Sequence, residues 1–182
     1  MKKLLLFVGL VGLVAAMAVP TSGLAAKPTK FHDNFDDTFA EPDFCGIAVT
    51  GHAVGVDNFF VLTVDANGDP VDFKDTSSVK VTWTAANGKS VVVSSAGQHT
   101  GTGTTNPDGS FTFVNTYKGL PEKIFTPNGP VLTRDAGIIS FADTFDKDGN
   151  FVSSTVVTQK GPHPEADADF DLFCQIITPL LS

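Results

Sequence analysis

Positive charge is scarce in this chain: 12 lysines and arginines stand against 20 aspartates and glutamates. Nucleic-acid affinity rests largely on neutralising phosphates, so nucleic acid is excluded as a partner. An anionic membrane surface is disfavoured for the same reason. No apolar run after residue 26 approaches the roughly 20 residues that a membrane-spanning helix needs. There is no Gly-x-Ser-x-Gly elbow, no His-Glu-x-x-His helix and no glycine-rich phosphate loop. Their absence removes the usual signatures of hydrolase, zinc-protease and nucleotide sites, and no cofactor is expected. Histidine occurs only four times, tryptophan and tyrosine once each.

Residues 1–26 read as a signal peptide. Lys2 and Lys3 form its positive end, Leu4 to Val19 its apolar run, and small residues offer cleavage after Ala18, Ala25 or Ala26. A run of 16 residues is short for a membrane span; the alternative is a retained anchor. The chain is therefore expected to be secreted, extracellular and not inserted in a membrane. Residues 27–182 have the size of one domain, with a net charge of −10 once the two signal lysines are gone. The two cysteines, Cys45 and Cys174, are an even pair in an exported chain and read as a disulfide. Two buried free thiols are the alternative.

The stretch "FDKDGNF", Phe145 to Phe151, sets oxygen ligands at alternate positions, as a calcium loop would. An EF-hand starting at Asp146 needs glycine at its sixth position and a carboxylate at its twelfth, where this chain has Phe151 and Val157. No metal site is expected. The stretch instead belongs to a series: Asn67-Gly68, Asn87-Gly88, Asp108-Gly109, Asn128-Gly129 and Asp148-Gly149, with the glycines 20, 21, 20 and 20 residues apart. These pairs tolerate the positive φ angles of tight hairpins. Roughly midway lie Gly97, Gly119, Gly137 and Gly161, which predict a second family of reversals.

The intervening stretches alternate as half-buried strands do. Val79, Val81 and Trp83 alternate with Lys80, Thr82 and Thr84; Phe111 and Phe113 alternate with Thr112 and Val114. The expected fold is all-β: an antiparallel up-and-down meander of eight to ten strands closed as a barrel, which removes exposed edges. A two-sheet sandwich is the alternative. One short C-terminal helix, residues 165–178, is predicted from the stripe Phe170, Phe173, Cys174 and Ile177, with Pro179 stopping it.

Few side chains suggest chemistry. His52 shares a strand face with Thr50 and Val54, and Asp143 interrupts the face of Ile139, Phe141 and Phe145. Both are candidates for proton transfer or ligand contact, though a packed histidine and an exposed acid explain them equally simply. His163, between prolines, reads as a surface loop residue. The acids of "FHDNFDDTFAEPDF" read as solvated, with its phenylalanines docking. The chain carries 16 phenylalanines; Phe111, Phe113 and Phe141 are candidates for lining an apolar ligand site, or simply for filling a core.

The segments "DFCGIAV", "RDAGIISF", "FDKDGN", "KGPHP" and "FDLFC", in this order and with the paired cysteines, resemble a group of small exported actinomycete proteins that has no established activity. The resemblance implies an exported β-rich domain with one disulfide. It carries over no catalytic residue. A more distant likeness to lipocalin-like barrels rests on the hairpin meander alone. Their Gly-x-Trp on the first strand is missing, since Trp83 lies well along the chain.

Three functions are compatible with these features. The first is non-enzymatic binding of a small apolar or amphipathic ligand in a phenylalanine-rich lumen. The second is an extracellular structural or surface-interaction module with a filled core. The third is a barrel-type cyclase or isomerase using His52 and Asp143.

Overall fold

A computed structural model describes residues 29–65, 70–168 and 171–182. The signal peptide expected at residues 1–26 and the turn expected at Asn67-Gly68 lie outside the described residues. The other four Asn-Gly or Asp-Gly pairs reverse the chain. In each, the glycine N–H donates to the carbonyl three residues back: Gly88 to Ala85, Gly109 to Asn106, Gly129 to Thr126 and Gly149 to Asp146, at 2.9–3.0 Å. Asp146 also accepts hydrogen bonds from the backbone N–H groups of Asp148 and Asn150, both at 2.9 Å. The carboxylate of "FDKDGNF" thus serves its own turn. A fifth reversal, Cys45-Gly46, has both residues at positive φ (55° and 81°).

These turns connect seven strands: β1 (Thr29–Phe44), β2 (Ile47–Val64), β3 (Pro70–Ala85), β4 (Ser90–Thr105), β5 (Phe111–Phe125), β6 (Val131–Phe145) and β7 (Phe151–Lys160). They form one antiparallel sheet in sequence order. Among the described residues no ladder joins β7 back to β1, so pairing shows an open meander where a closed barrel was expected. It also shows one sheet, where the alternative had two. The segment Phe31–Phe44 belongs to the edge strand β1; its phenylalanines pack on Phe59 and Trp83 as expected, while its other side chains are mostly exposed.

The number of strands is seven rather than eight to ten because the midway glycines are not turns. Gly97 pairs with Gly119, and Gly119 with Gly137, across adjacent ladders. Gly161 continues the row just beyond β7, its Cα 3.1 Å from where a Gly137 Cβ would lie. Each removes a Cβ that would strike the neighbouring backbone: a Cβ on Gly97 would meet the Lys118 carbonyl oxygen at 2.1 Å, and one on Gly137 the Lys160 oxygen at 2.0 Å. Gly119 and Gly137 also need positive φ (116° and 122°). Bulges flank the row at Ser94/Ala96, Gly119/Glu122 and Ser140/Phe141. Glycine kinks and bulges are how a sheet is creased without ending its strands. The strands therefore run on through, longer and fewer than expected.

The crease divides the sheet into a disulfide end and a far end. At the disulfide end lies the core: Trp83 stacks on Phe44 (centroids 4.2 Å apart) and meets Phe39 edge-on, beside Val81, Val91 and Ile124. Two short helices cover it, α1 (Pro164–Asp167) and α2 (Leu172–Leu181), in place of the single helix expected over 165–178. Helix α2 buries Ile177 and Leu181. Pro179 sits inside α2 rather than stopping it, because a proline near a helix end removes one N–H without leaving a full turn unsupported. The Cys45–Cys174 disulfide pins α2 to the β1–β2 turn, with Cα atoms 5.3 Å apart and a sequence separation of 129 between the cysteines. Closing a loop of that length stabilises by about 5 kcal/mol in the chain-entropy account. No helix among the described residues is long and apolar enough to cross a membrane.

Candidate functional site

Strand alternation and the ladder register sort side chains onto two unlike faces. One carries threonine, serine and every lysine and arginine of the described strands; Lys80 opposite Ser94 and Lys123 opposite both Ser94 and Arg134 are typical. The other is paved with aromatic rings. At the far end Phe31 touches Phe59, Phe59 touches Phe73, Phe73 stacks on Phe113, and Tyr117 meets Phe141, with centroids 5.0–6.4 Å apart.

Glycines let these rings lie down on the sheet. A Cβ on Gly101 would come within 2.4 Å of Phe73 and 2.5 Å of Phe113, so the two rings meet over that glycine. At the disulfide end Gly51 is covered in the same way by Phe39 and Trp83. There the aromatic face continues beneath α2. Among the described residues no helix packs against it at the far end.

A polar cluster sits in the middle of the far-end pavement. Asp75 is only 4 % exposed and His99 8 %, and they are partners on the β3–β4 ladder. His99 Nε2 donates to Asn115 Oδ1 at 2.9 Å, and Asn115 Nδ2 donates to Asp143 Oδ2 at 2.8 Å. This bonding fixes the amide orientation and the Nε2–H form of the imidazole. The His99 ring stacks on Tyr117 (4.2 Å, 9° between planes) and meets the Phe73 edge at 4.9 Å.

Burial dominates the electrostatics of the cluster. It pushes Asp75 up to about 8, helped by a hydrogen bond and repulsion from Asp57. It lowers His99 below its ordinary value, against the raising effects of Asn115 and Asp57. Tyr117 is pushed up to about 12 by burial and by the charges of Asp143 and Asp75. At neutral pH the arrangement is a neutral imidazole among carboxyl groups, one of which keeps its proton. Asp57 and Asp75 each have a buried Oδ1 with no hydrogen-bond partner.

A second acidic cluster lies under α1 at the disulfide end. Glu122, Asp135, His163 and Glu165 are all buried. His163 Nδ1 is 3.7 Å from Asp135 Oδ2, and the buried Glu165 carboxyl faces the Phe173 backbone N–H. Burial, then the charges of Glu165 and Asp135, raise Glu122 to about 9; burial raises Glu165 to about 7. His163, expected on a surface loop, is fully buried because its ring donates to the Lys160 carbonyl at 3.2 Å and faces Asp135. Neither cluster brings three His, Cys, Asp or Glu groups into an arrangement able to hold a metal ion, nor does any other set among the described residues.

Of the residues singled out in the sequence, Asp143, Phe111, Phe113 and Phe141 share the aromatic face, as register partners or ring neighbours. His52 does not join them. It projects from the opposite face, half exposed, with Nε2 2.7 Å from Asp36 Oδ1. The structure therefore does not bring His52 and Asp143 together. Asp57, Asp75, His99, Asn115 and Tyr117 were missed. Their signal is the distance to a turn: Asp75 and His99 lie twelve residues either side of Asn87, and His99 and Tyr117 nine either side of Asp108, so each pair must face across a ladder. No protein-family model matches the chain, and no curated protein or solved structure matches it either.

Proposed function

We propose that this protein is an exported, non-enzymatic binding module that takes a small amphipathic molecule on its aromatic face. The observation that carries the reading is the His99–Asn115–Asp143 relay, hydrogen-bonded and set among rings that no helix among the described residues covers at the far end. Rings supply apolar area and π-faces, and a few placed polar groups orient what lies on them. The disulfide and the absence of a spanning helix among the described residues support the exported setting. Curling the sheet until β1 meets β7 would turn the same rings inward as the lining of a closed barrel.

The neutral fluorophore N-phenyl-1-naphthylamine tests this. Saturable emission enhancement is expected with the wild-type protein and should be lost in a Phe73→Ser, Phe113→Ser variant that keeps its circular dichroism. No saturable enhancement, together with ligand-free native mass spectra of protein taken from culture medium, overturns the reading.

A second reading is the surface-interaction module. It is favoured by the rings seated over Gly51 and Gly101, which make a pavement rather than a hollow. Concentration-dependent association in sedimentation velocity, abolished by the same double variant, would favour it over small-molecule capture.

A further inference from the structure

We infer that the molecule taken on this face is a cationic amine, its nitrogen seated at the Asp57–Asp75 carboxyl pair, with Asp143 farther along the same face, and its apolar body lying on the rings of Phe73, Phe113 and Tyr117. The inference rests on the binding reading above and narrows it to a ligand class.

Charge placement is the first argument. The strand lysines and arginines all lie on the other face of the sheet, so no basic side chain of these strands accompanies the three acids. Among the described residues no lysine or arginine forms an ion pair with them. His99 does not supply the missing charge, because burial favours its neutral form. Among the described residues, then, this aromatic surface holds a negative site with no lysine or arginine paired to it.

Unmet hydrogen-bonding capacity is the second. Asp75 is 96 % shielded from solvent, yet its Oδ1 has no partner, and neither has the buried Oδ1 of Asp57. Buried polar atoms are nearly always paired. A primary ammonium offers three donors and no acceptor, which matches a set of acceptors. A hydroxyl offers one donor, and a carboxylate group would be repelled by Asp57 and Asp143.

The walls are the third. The negative faces of aromatic rings attract a desolvated cation within about 6 Å of their centroids. The Tyr117 ring stacks on His99, the ladder partner of Asp75; burial, then the charges of Asp143 and Asp75, raise its phenol. The acids do not converge as metal ligands do. An organic cation, whose charge is shared between carboxylates and rings, suits the spread that a metal ion does not. Its arrival would also ionise Asp75, which burial otherwise keeps protonated.

Three probes with one indole body separate head-group charge from apolar fit: tryptamine, tryptophol and indole-3-acetate, titrated calorimetrically into the full exported protein. Tryptamine is expected to bind at least ten-fold more tightly than tryptophol, with indole-3-acetate weakest. Asp75→Asn and Asp57→Asn should each weaken tryptamine about ten-fold while leaving tryptophol within two-fold. Tryptophol binding as tightly as tryptamine overturns this inference and leaves the binding reading standing. Loss of both ligands equally in the Asn variants likewise overturns it. If none of the three binds to protein whose circular dichroism is intact, and N-phenyl-1-naphthylamine fails as well, the binding reading falls with it.

Discussion

Asp75 and His99 face one another across the β3–β4 ladder, an acid that burial keeps protonated beside an imidazole that burial keeps neutral. The pair carries no ionic attraction at neutral pH. His99 instead takes its orientation from Asn115. Carbon-detected NMR should find the His99 ring titrating below the ordinary value of 6.5. The Asn115 bond opposes that shift, so Asn115→Ala should move the midpoint lower still. A His99 that titrates at or above 6.5 would mean that the ring is solvated and the relay is not formed.

The crease gives a second expectation. Gly137→Ala would put a Cβ 2.0 Å from the Lys160 carbonyl oxygen, at positive φ. Backbone atoms must shift, and urea unfolding should show a loss of about 3 kcal/mol or more. Gly88→Ala is the control: its φ is also positive, but nothing lies within 4 Å of the added atom, so about 1–2 kcal/mol is expected. Equal losses in the two variants would show that the row is not tightly apposed.

Stability should fall with rising pH. Glu122 sits at about 9 in the folded protein against an ordinary 4.5, and Glu165 at about 7, so the folded state holds protons that the unfolded chain releases. Their stabilising contribution is complete below about pH 4.5. It is lost as pH rises through 7 for Glu165 and towards 9 for Glu122. Glu122→Gln should flatten the decline in Tm between pH 5 and 9, where roughly 1–3 kcal/mol is at stake and each kcal/mol moves Tm by about 2–4 °C. A wild-type Tm that is level across that range would contradict the buried acid cluster.

Reduction of Cys45–Cys174 should cost about 2–5 kcal/mol and loosen α2 from the Trp83–Phe44 stack. Trp83 is the only tryptophan and is 2 % exposed, so its emission reports the event directly. A red shift under reductant, at urea concentrations where the oxidised protein stays blue, is the expected result. Coincident unfolding curves with and without reductant would place the stability elsewhere.

The turns were legible because Asn-Gly and Asp-Gly carry their own backbone preference, which needs no knowledge of the partner strand. The midway glycines were misread because a glycine that turns a chain and one that lets two strands touch look the same in one dimension. The cue is mirror symmetry: Gly97 and Gly119 lie eleven residues either side of Asp108, and Gly119 and Gly137 nine either side of Asn128. Strand β1 was legible in retrospect from Phe31, Phe35 and Phe39, whose even spacing puts them on one face. Asp143 was visible as an acid in an aromatic run. Asp75 was not, since its burial depends on ladders that set Phe59 on one side of it and His99 on the other. The burial of His163 likewise depends on Asp135, a contact that local sequence does not announce.

The glycine row separates two leaves that are secured very differently. One is riveted by sulfur and weighted by two helices; the other is held by its hydrogen-bonded ladders and ring contacts alone. Under denaturant or mechanical load the unriveted leaf should peel away first along the line where side chains are missing. The molecule would then shed its aromatic platform while the tryptophan-centred knot at its opposite edge stayed tied.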